Sequence, residues 1–226
     1  MTKVNKYRWV IFDVDDTLYS SSCGLWFSVR DRIHRYLVDI VGISEGEVES
    51  VRDKYFQMYG TCLAGLQNDY EDFNTDEYVS YVHDVEYERF IGVNETLEAC
   101  IEALPLGKAL FTNSDKNHAT KVIRALGIEK FFSVIVDVYA TNFVPKPAIE
   151  AYQALFRHIN ASPDECIFLD DQERNLQTAS DLGMTTILVS DTCEVDTVAD
   201  FSVVDVVEGC AIVKALCLKY ANYEDC

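Results

Sequence analysis

The chain has 226 residues, 49% hydrophobic and 25% charged, which fits one average domain or a core domain carrying a smaller insertion. Its 38 acidic residues against 19 Lys and Arg give a formal charge of −19, which argues against a basic face for DNA or RNA. No apolar run reaches the roughly 18 residues of a membrane span, and the N-terminal stretch leads into a run too short and too acidic for a secretory signal.

In chain order, residues 8–14 read as a buried strand, because Trp9, Val10, Ile11 and Phe12 are continuously apolar before polarity breaks sharply. From about 18 to 91 no buried strand is evident. Trp26, Val29, Ile33, Leu37 and Val41 repeat at helical spacing. A second helix is expected over 44–59, with Ser44 as N-cap and Glu47 completing a capping box. The two glycines in 59–66 predict a turn or loop, and helical pattern returns through Tyr78, Val79 and Val82. Further short apolar runs follow at 108–112, 133–138, 166–169 and 185–189. Between and after them, helices are expected over 115–126, stopped by Gly127, over 147–159, opened by Pro147, over 173–182, stopped by Gly183, and over 206–218. This alternation predicts a doubly wound α/β domain with a parallel sheet, interrupted after its first strand by a helical insertion.

The eight cysteines are Cys23, Cys62, Cys100, Cys166, Cys193, Cys210, Cys217 and Cys226, and no two are spaced C-x-x-C. Neither a zinc ribbon nor a thioredoxin-type site is implied, and the thiols read as reduced and mainly structural.

Four polar motifs sit at predicted strand ends, where open α/β sheets bind ligands. In Asp13-Val14-Asp15-Asp16-Thr17 two carboxylates at i and i+2 supply a nucleophile and a proton donor, or else simply a polar turn. Thr112-Asn113-Ser114 offers a hydroxyl and backbone N–H groups to phosphate oxygens, or an N-cap to the next helix, or both. In Val144-Pro145-Lys146-Pro147 two prolines stiffen the backbone around one lysine; by itself the motif reads as a surface loop, yet so acidic a chain needs such a cation beside an anionic substrate. Adjacent Asp170 and Asp171 end the run Ile167-Phe168-Leu169, which is costly unless a cation such as Mg²⁺ sits beside them, although an acidic helix N-terminus reads the same way.

Together, in this order, these motifs resemble those of the haloacid dehalogenase superfamily across essentially the whole chain. The resemblance implies a Rossmann-like core over 1–17 and 92–226 with a helical cap over 18–91. It implies Asp13 as the nucleophile that becomes an aspartyl phosphate, and Asp15 as general acid, then base. Thr112, Asn113 and Lys146 would hold the phosphoryl oxygens. Mg²⁺ would be held by the Asp13 and Asp171 carboxylates and the Asp15 carbonyl, with Asp170 bound directly or through water. Dehalogenating members lack an acid at the position of Asp15, so its presence favours phosphate esters. Segments 59–66, 76–83 and 111–119 are similar to those of fungal and plant pyrimidine 5′-nucleotidases. That similarity implies UMP or CMP as substrate and makes Tyr59, Gly60, Thr61 and His83 candidates for base or ribose contacts; equally, Tyr59 suits the core, Thr61 a turn and His83 a helix end.

The expectation is a Mg²⁺-dependent phosphatase of small esters, cytoplasmic with the nucleus as a further location, monomeric or homodimeric, with no nucleic-acid polymer as partner and no membrane span. A phosphatase of sugar phosphates or lysophosphatidate, a phosphomutase, and a catalytically silent binding protein are the alternatives.

Overall fold

The structure, a computed structural model, describes residues 6–192 and 196–221. Cys193 and Cys226 lie outside these residues; the other six cysteines are free thiols.

Six parallel strands form one sheet: β1 (Trp9–Phe12), β2 (Gly107–Phe111), β3 (Val134–Val136), β4 (Cys166–Asp170), β5 (Thr185–Val189) and β6 (Phe201–Val203), in the order β3-β2-β1-β4-β5-β6. The chain builds outward from β1 to β3, then crosses back to add β4 on the other side. In register, Phe12 of β1 faces Leu110 of β2 and Leu169 of β4, so these three strands end level with one another. This is the arrangement that opens a crevice at the carboxyl ends of the strands.

Side chains alternate between two faces of the sheet. Val10, Phe12, Leu110, Ile167, Leu169 and Ile187 join one apolar cluster with Leu97 and Ile101 of α5 (Glu95–Glu102), Val122 and Ile123 of α6 (Lys116–Ala125) and Val213 of α9 (Val206–Ala221). Ile11, Phe111, Val136, Phe168 and Leu188 join the other, with Tyr152 and Leu155 of α7 (Ile149–Ile159) and Leu176 of α8 (Glu173–Leu182). Helices therefore cover both faces, as the continuous apolar runs of the central strands require.

Between β1 and α5 lie α1 (Leu25–Asp39), α2 (Val48–Tyr59), α3 (Cys62–Asp69) and α4 (Thr75–Val82), which share a third apolar cluster. Val29, Ile33, Tyr36 and Leu37 of α1 recur at helical spacing and are buried there, and the Tyr36 ring meets Tyr78 of α4 edge-on at 5.0 Å.

Several expectations need correction. Residues 62–69 form α3 rather than a loop. Gly60, with a φ of 84°, ends α2, the Thr61 side chain caps the next helix by accepting from Ala64 N at 3.1 Å, and only these two residues separate the helices. Gly65 is inside α3 because a Cβ there would lie 2.3 Å from the Tyr55 ring, so its role is close helix packing rather than a break. The second helix starts at Val48 rather than Ser44, because Ser44 to Glu47 forms a separate turn closed by Glu47 N donating to Ser44 O at 2.9 Å. The helix expected from Pro147 starts at Ile149, because Ala148 is extended and serves as its N-cap residue. β6 was not expected: it is three residues long and only Val203 is fully buried.

Candidate active site

Backbone pairing first carries the chain into the crevice. Asp13 N donates to Leu169 O at 2.8 Å, continuing the β1–β4 ladder one residue past the strand and leaving the Asp13 side chain at the sheet's end. Lys146 reaches the same point from the loop before α7. Its Nζ, 1% exposed, donates to Asp13 Oδ1 at 2.7 Å, Asp170 Oδ2 at 2.7 Å and the Phe111 carbonyl at 2.8 Å, so all three of its hydrogens are engaged. The rings of Phe111 and Phe168 lie 5.1 and 5.2 Å from the ammonium. Asn113 fixes the lysine's backbone reciprocally: its Oδ1 accepts from Lys146 N at 2.8 Å and its Nδ2 donates to Lys146 O at 3.1 Å.

Asp170 is fully buried and saturated. Its Oδ1 accepts from Gln172 N at 2.8 Å and Asn175 Nδ2 at 3.0 Å, and its Oδ2 accepts from Lys146 and from Asn175 Nδ2 at 3.1 Å. Among the described residues Asp171 bonds only to the Gln172 side-chain amide, so it keeps acceptor capacity. One oxygen each from Asp13, Asp170 and Asp171 lie within 4.8 Å of one another. Burial pushes the Asp13 carboxyl well above the usual range; Lys146 opposes this, and Asp170, Asp171 and Asp15 add to it. Burial, and then Asp170, push Asp171 up to about 7. One lysine does not offset this charge, and a set of carboxylate oxygens suits a hard divalent cation such as Mg²⁺. The residues present therefore fit such an ion.

Asp15 has a separate environment. Its Oδ1 accepts from Tyr19 OH at 2.6 Å and pairs with His118 Nε2 at 2.7 Å, and its Oδ2 accepts from Ser114 Oγ at 3.0 Å. Burial favours its neutral form, but the charge and hydrogen bond of His118 and the bond from Tyr19 outweigh that and hold Asp15 down to about 2. An ionised Asp15 can only accept, so the Nε2 of His118 carries the hydrogen between them. His118 is completely buried; its Nδ1 lies 2.9 Å from Tyr87 OH, and its ring stacks on His83 at 4.3 Å and 31°. His83 Nδ1 in turn lies 2.6 Å from Asp115 Oδ2, out of line for a good hydrogen bond. Burial and the neighbouring His118 lower the His83 pKa, against the pull of Asp115.

Above these groups is a cavity of about 380 Å³, the size of a small-molecule site. Asp13, Asp15, Thr112, Asn113, Lys146 and Asp171 line its sheet side. Thr112 Oγ1 accepts from Ser114 N at 3.0 Å. α1, α2, α3 and α4 line the opposite side, and Gly60, Thr61 and His83 are among the lining residues. Tyr59 is not; its OH accepts from Asn68 Nδ2 at 2.9 Å. The structure thus gathers all four motifs, which lie up to 158 positions apart in the chain, around one cavity; the motif of Lys146 lies not at a strand end but in the loop before α7, ten residues past the end of β3.

Ser114 or Asn113 was expected to cap the next helix, but Asp115 is the N-cap of α6, accepting from Asn117 N and His118 N, and Ser114 donates to Asp15 instead. Sequence reasoning did not single out Tyr19, Tyr87, His118 or Asn175 for the site. A signal existed for His118: with Ala119 and Val122 it occupies the apolar stripe of α6, where a polar side chain needs an explanation. Tyr87 and Asn175 had none, since their partners come from distant segments or the strand end.

Comparison with known proteins agrees with this geometry. A family profile described as haloacid dehalogenase-like hydrolase matches residues 7–183. Phosphate metabolism protein 8 of Saccharomyces cerevisiae is 26% identical over 191 residues, covering 78% of this chain, and the aligned region spans 60% of that relative's length. The L-2-haloacid dehalogenase of Xanthobacter autotrophicus superposes with a TM-score of 0.63 at 17% identity, covering 92% of this chain and 98% of that one. The putative hydrolase YfnB of Bacillus subtilis, in a structure bound to magnesium, gives 0.62 at 16% identity with the same coverage.

Proposed function

Since the chain belongs to the haloacid dehalogenase-like hydrolases, we propose that it hydrolyses small phosphomonoesters, with Asp13 as nucleophile and Asp15 as proton carrier. The observation that carries the choice of phosphate over halide is Asp15 itself. It lines the same cavity as Asp13 yet is held by its own donors, independently of Lys146. A leaving alkoxide needs a proton, whereas a halide does not.

In the first step an Asp13 oxygen bonds to phosphorus as the bond from phosphorus to the alcohol oxygen breaks. The alcohol leaves with a proton relayed through the Asp15 carboxylate from His118, which enters the step protonated at both nitrogens, with Nε2–H 2.7 Å from Asp15 and Nδ1 2.9 Å from Tyr87 OH, whose own hydrogen goes to His83 O. In the second step the Asp15 carboxylate takes a proton from water as the water oxygen bonds to phosphorus and the bond from phosphorus to the Asp13 oxygen breaks, and the proton passes back to His118. Lys146 stays beside Asp13, and Thr112 and the Asn113 backbone face the phosphoryl oxygens from the same side of the cavity. Mg²⁺ held by Asp13, Asp171 and the Asp15 carbonyl, with Asp170 direct or through water, would neutralise charge on the phosphoryl group. The α1–α4 layer is the cap that closes over the ester, and its size favours a small substrate. Within that class the reading is a pyrimidine nucleoside monophosphate, supported by the similarity of segments 59–66, 76–83 and 111–119 to that branch.

Phosphate release from UMP, CMP, AMP, GMP, glucose 6-phosphate and lysophosphatidate, with and without EDTA, tests this. Turnover is expected to favour UMP and CMP, to stop with EDTA, to return with Mg²⁺, and to vanish in Asp13→Asn while the circular dichroism spectrum persists. An active Asp13→Asn enzyme overturns the nucleophile; a preference for a sugar phosphate or a lysolipid overturns the nucleotide reading.

A further inference from the structure

The helical side of the cavity has a repeated design that the phosphate chemistry does not use. Trp26 and Arg30 lie four residues apart in α1, and Arg52 and Phe56 lie four apart in α2, so each helix presents an aromatic and a guanidinium on one face. All four line the cavity, opposite Asp13 and Lys146. An aromatic surface accepts a flat or apolar group, and a guanidinium donates to acceptor oxygens in a planar fork.

The three arginines lining this cavity differ in their partners. Arg174 donates to the carbonyls of Phe56 and Gly60, each at 3.1 Å, and stacks on Phe56 at 3.6 Å. Arg52 is held by Glu49 through two bonds of 2.7 and 3.1 Å. Arg30 has no hydrogen bond or ion pair among the described residues, in a chain with twice as many acids as bases. Arg30 and Arg52 line the same cavity as Cys62, at the start of α3, and as Asp15 and Asp16.

We propose that Arg30, supported by Arg52, selects the alcohol half of the substrate by donating to its acceptor oxygens, and that this half is a group bearing ring carbonyls or a carboxylate. The proposal rests on the phosphatase reading and narrows its substrate class. Esters of plain alcohols or unsubstituted rings would fill the cavity without engaging Arg30.

Three esters separate the possibilities: UMP, whose ring carries carbonyls; phosphoglycolate, whose alcohol half carries a carboxylate; and phenyl phosphate, which has a ring and no acceptor. Arg30 is exposed, so Arg30→Met is expected to fold. With Arg30→Met, KM for UMP, phosphoglycolate or both is expected to rise about 10-fold or more, as for a lost hydrogen bond to a charged donor. The kcat/KM for phenyl phosphate should stay within about twofold, and Arg30→Lys should recover part of the loss. Which ester responds identifies the acceptor. Equal loss on phenyl phosphate overturns the proposal, as does no loss on either acceptor-bearing ester. Calorimetric titration of UMP and phosphoglycolate into the wild type and Arg30→Met reads the subsite without turnover. Binding weakened by Arg30→Met in a protein that hydrolyses none of the three would refute the phosphatase reading and leave the subsite standing; binding unchanged by the substitution overturns the subsite.

Discussion

On the sheet side of the cavity Lys146, Asp13 and Asp170 are tied to one another, whereas on the helical side Arg30 has no partner among the described residues and Asp53 is exposed. Lys146, Asp13 and Asp170 form a buried cluster with every lysine hydrogen engaged, and Asn113 and Asn175 brace it. Its geometry exists before any substrate arrives, which is what phosphoryl transfer requires of its electrostatics. On the helical side Arg52 is held by Glu49, whereas Arg30 faces the cavity with no protein partner among the described residues. A rigid set of charges and an adaptable wall can then vary independently: one determines the reaction, the other the ester.

The comparison breaks most clearly at Lys146. Lys146→Met leaves Asp13, Asp170 and the Phe111 carbonyl without their shared donor in a buried site. Removing one partner of such a cluster costs about 3–5 kcal/mol. Turnover is expected to fall by at least about 100-fold for every ester, and urea denaturation should show the lost stability. A variant that loses activity only toward some esters would place Lys146 on the selective side of the cavity instead.

His118 sharpens the boundary between the two sides, because it bonds Asp15 at one nitrogen and Tyr87 at the other. His118→Gln should lower kcat about 10- to 100-fold for esters with poor leaving groups, such as UMP. p-Nitrophenyl phosphate, whose leaving group needs no proton, should be nearly unaffected. Equal losses on both substrates would mean that His118 only supports packing.

The smallest effect concerns stability against pH. Burial beside Asp170 pushes Asp171 up to about 7, and burial beside Asp15 and Asp191 pushes Asp16 up to about 7. A carboxyl whose folded pKa lies above its unfolded value, near 4, binds more protons when folded. Its stabilising contribution is complete below about pH 4 and is lost as pH rises through about 7. In EDTA, Tm should therefore fall by a few degrees between about pH 5 and about pH 7.5, and less so in Asp171→Asn. Mg²⁺ should raise Tm more at the upper end of that range. A Tm that rises with pH in EDTA, with no difference in Asp171→Asn, would remove the uncompensated charge from the account.

The strands were legible because each is a short apolar run bounded by polar residues. β5 was read to its observed ends, and β6 was missed because a three-residue, half-buried edge strand carries too little pattern. α3 was misread because glycine ordinarily breaks helices, and only contact with Tyr55 explains Gly65. Of the site, Asp13, Asp15, Thr112, Asn113, Asp170 and Asp171 were readable as types at strand ends, and Lys146 as a lone cation between prolines. Tyr59 also looked like a cavity residue, yet its OH bonds to Asn68.

Local sequence alone determined which residues end the strands and therefore which carboxylates and threonine reach the crevice, because strand length and polarity breaks are local properties. Only the tertiary structure decided how those groups are paired: that Lys146 bridges Asp13 and Asp170, that His118 holds Asp15, and that Arg30 is left without a partner among the described residues. Pairing depends on distances between segments that the sheet order brings together, and no local pattern encodes them.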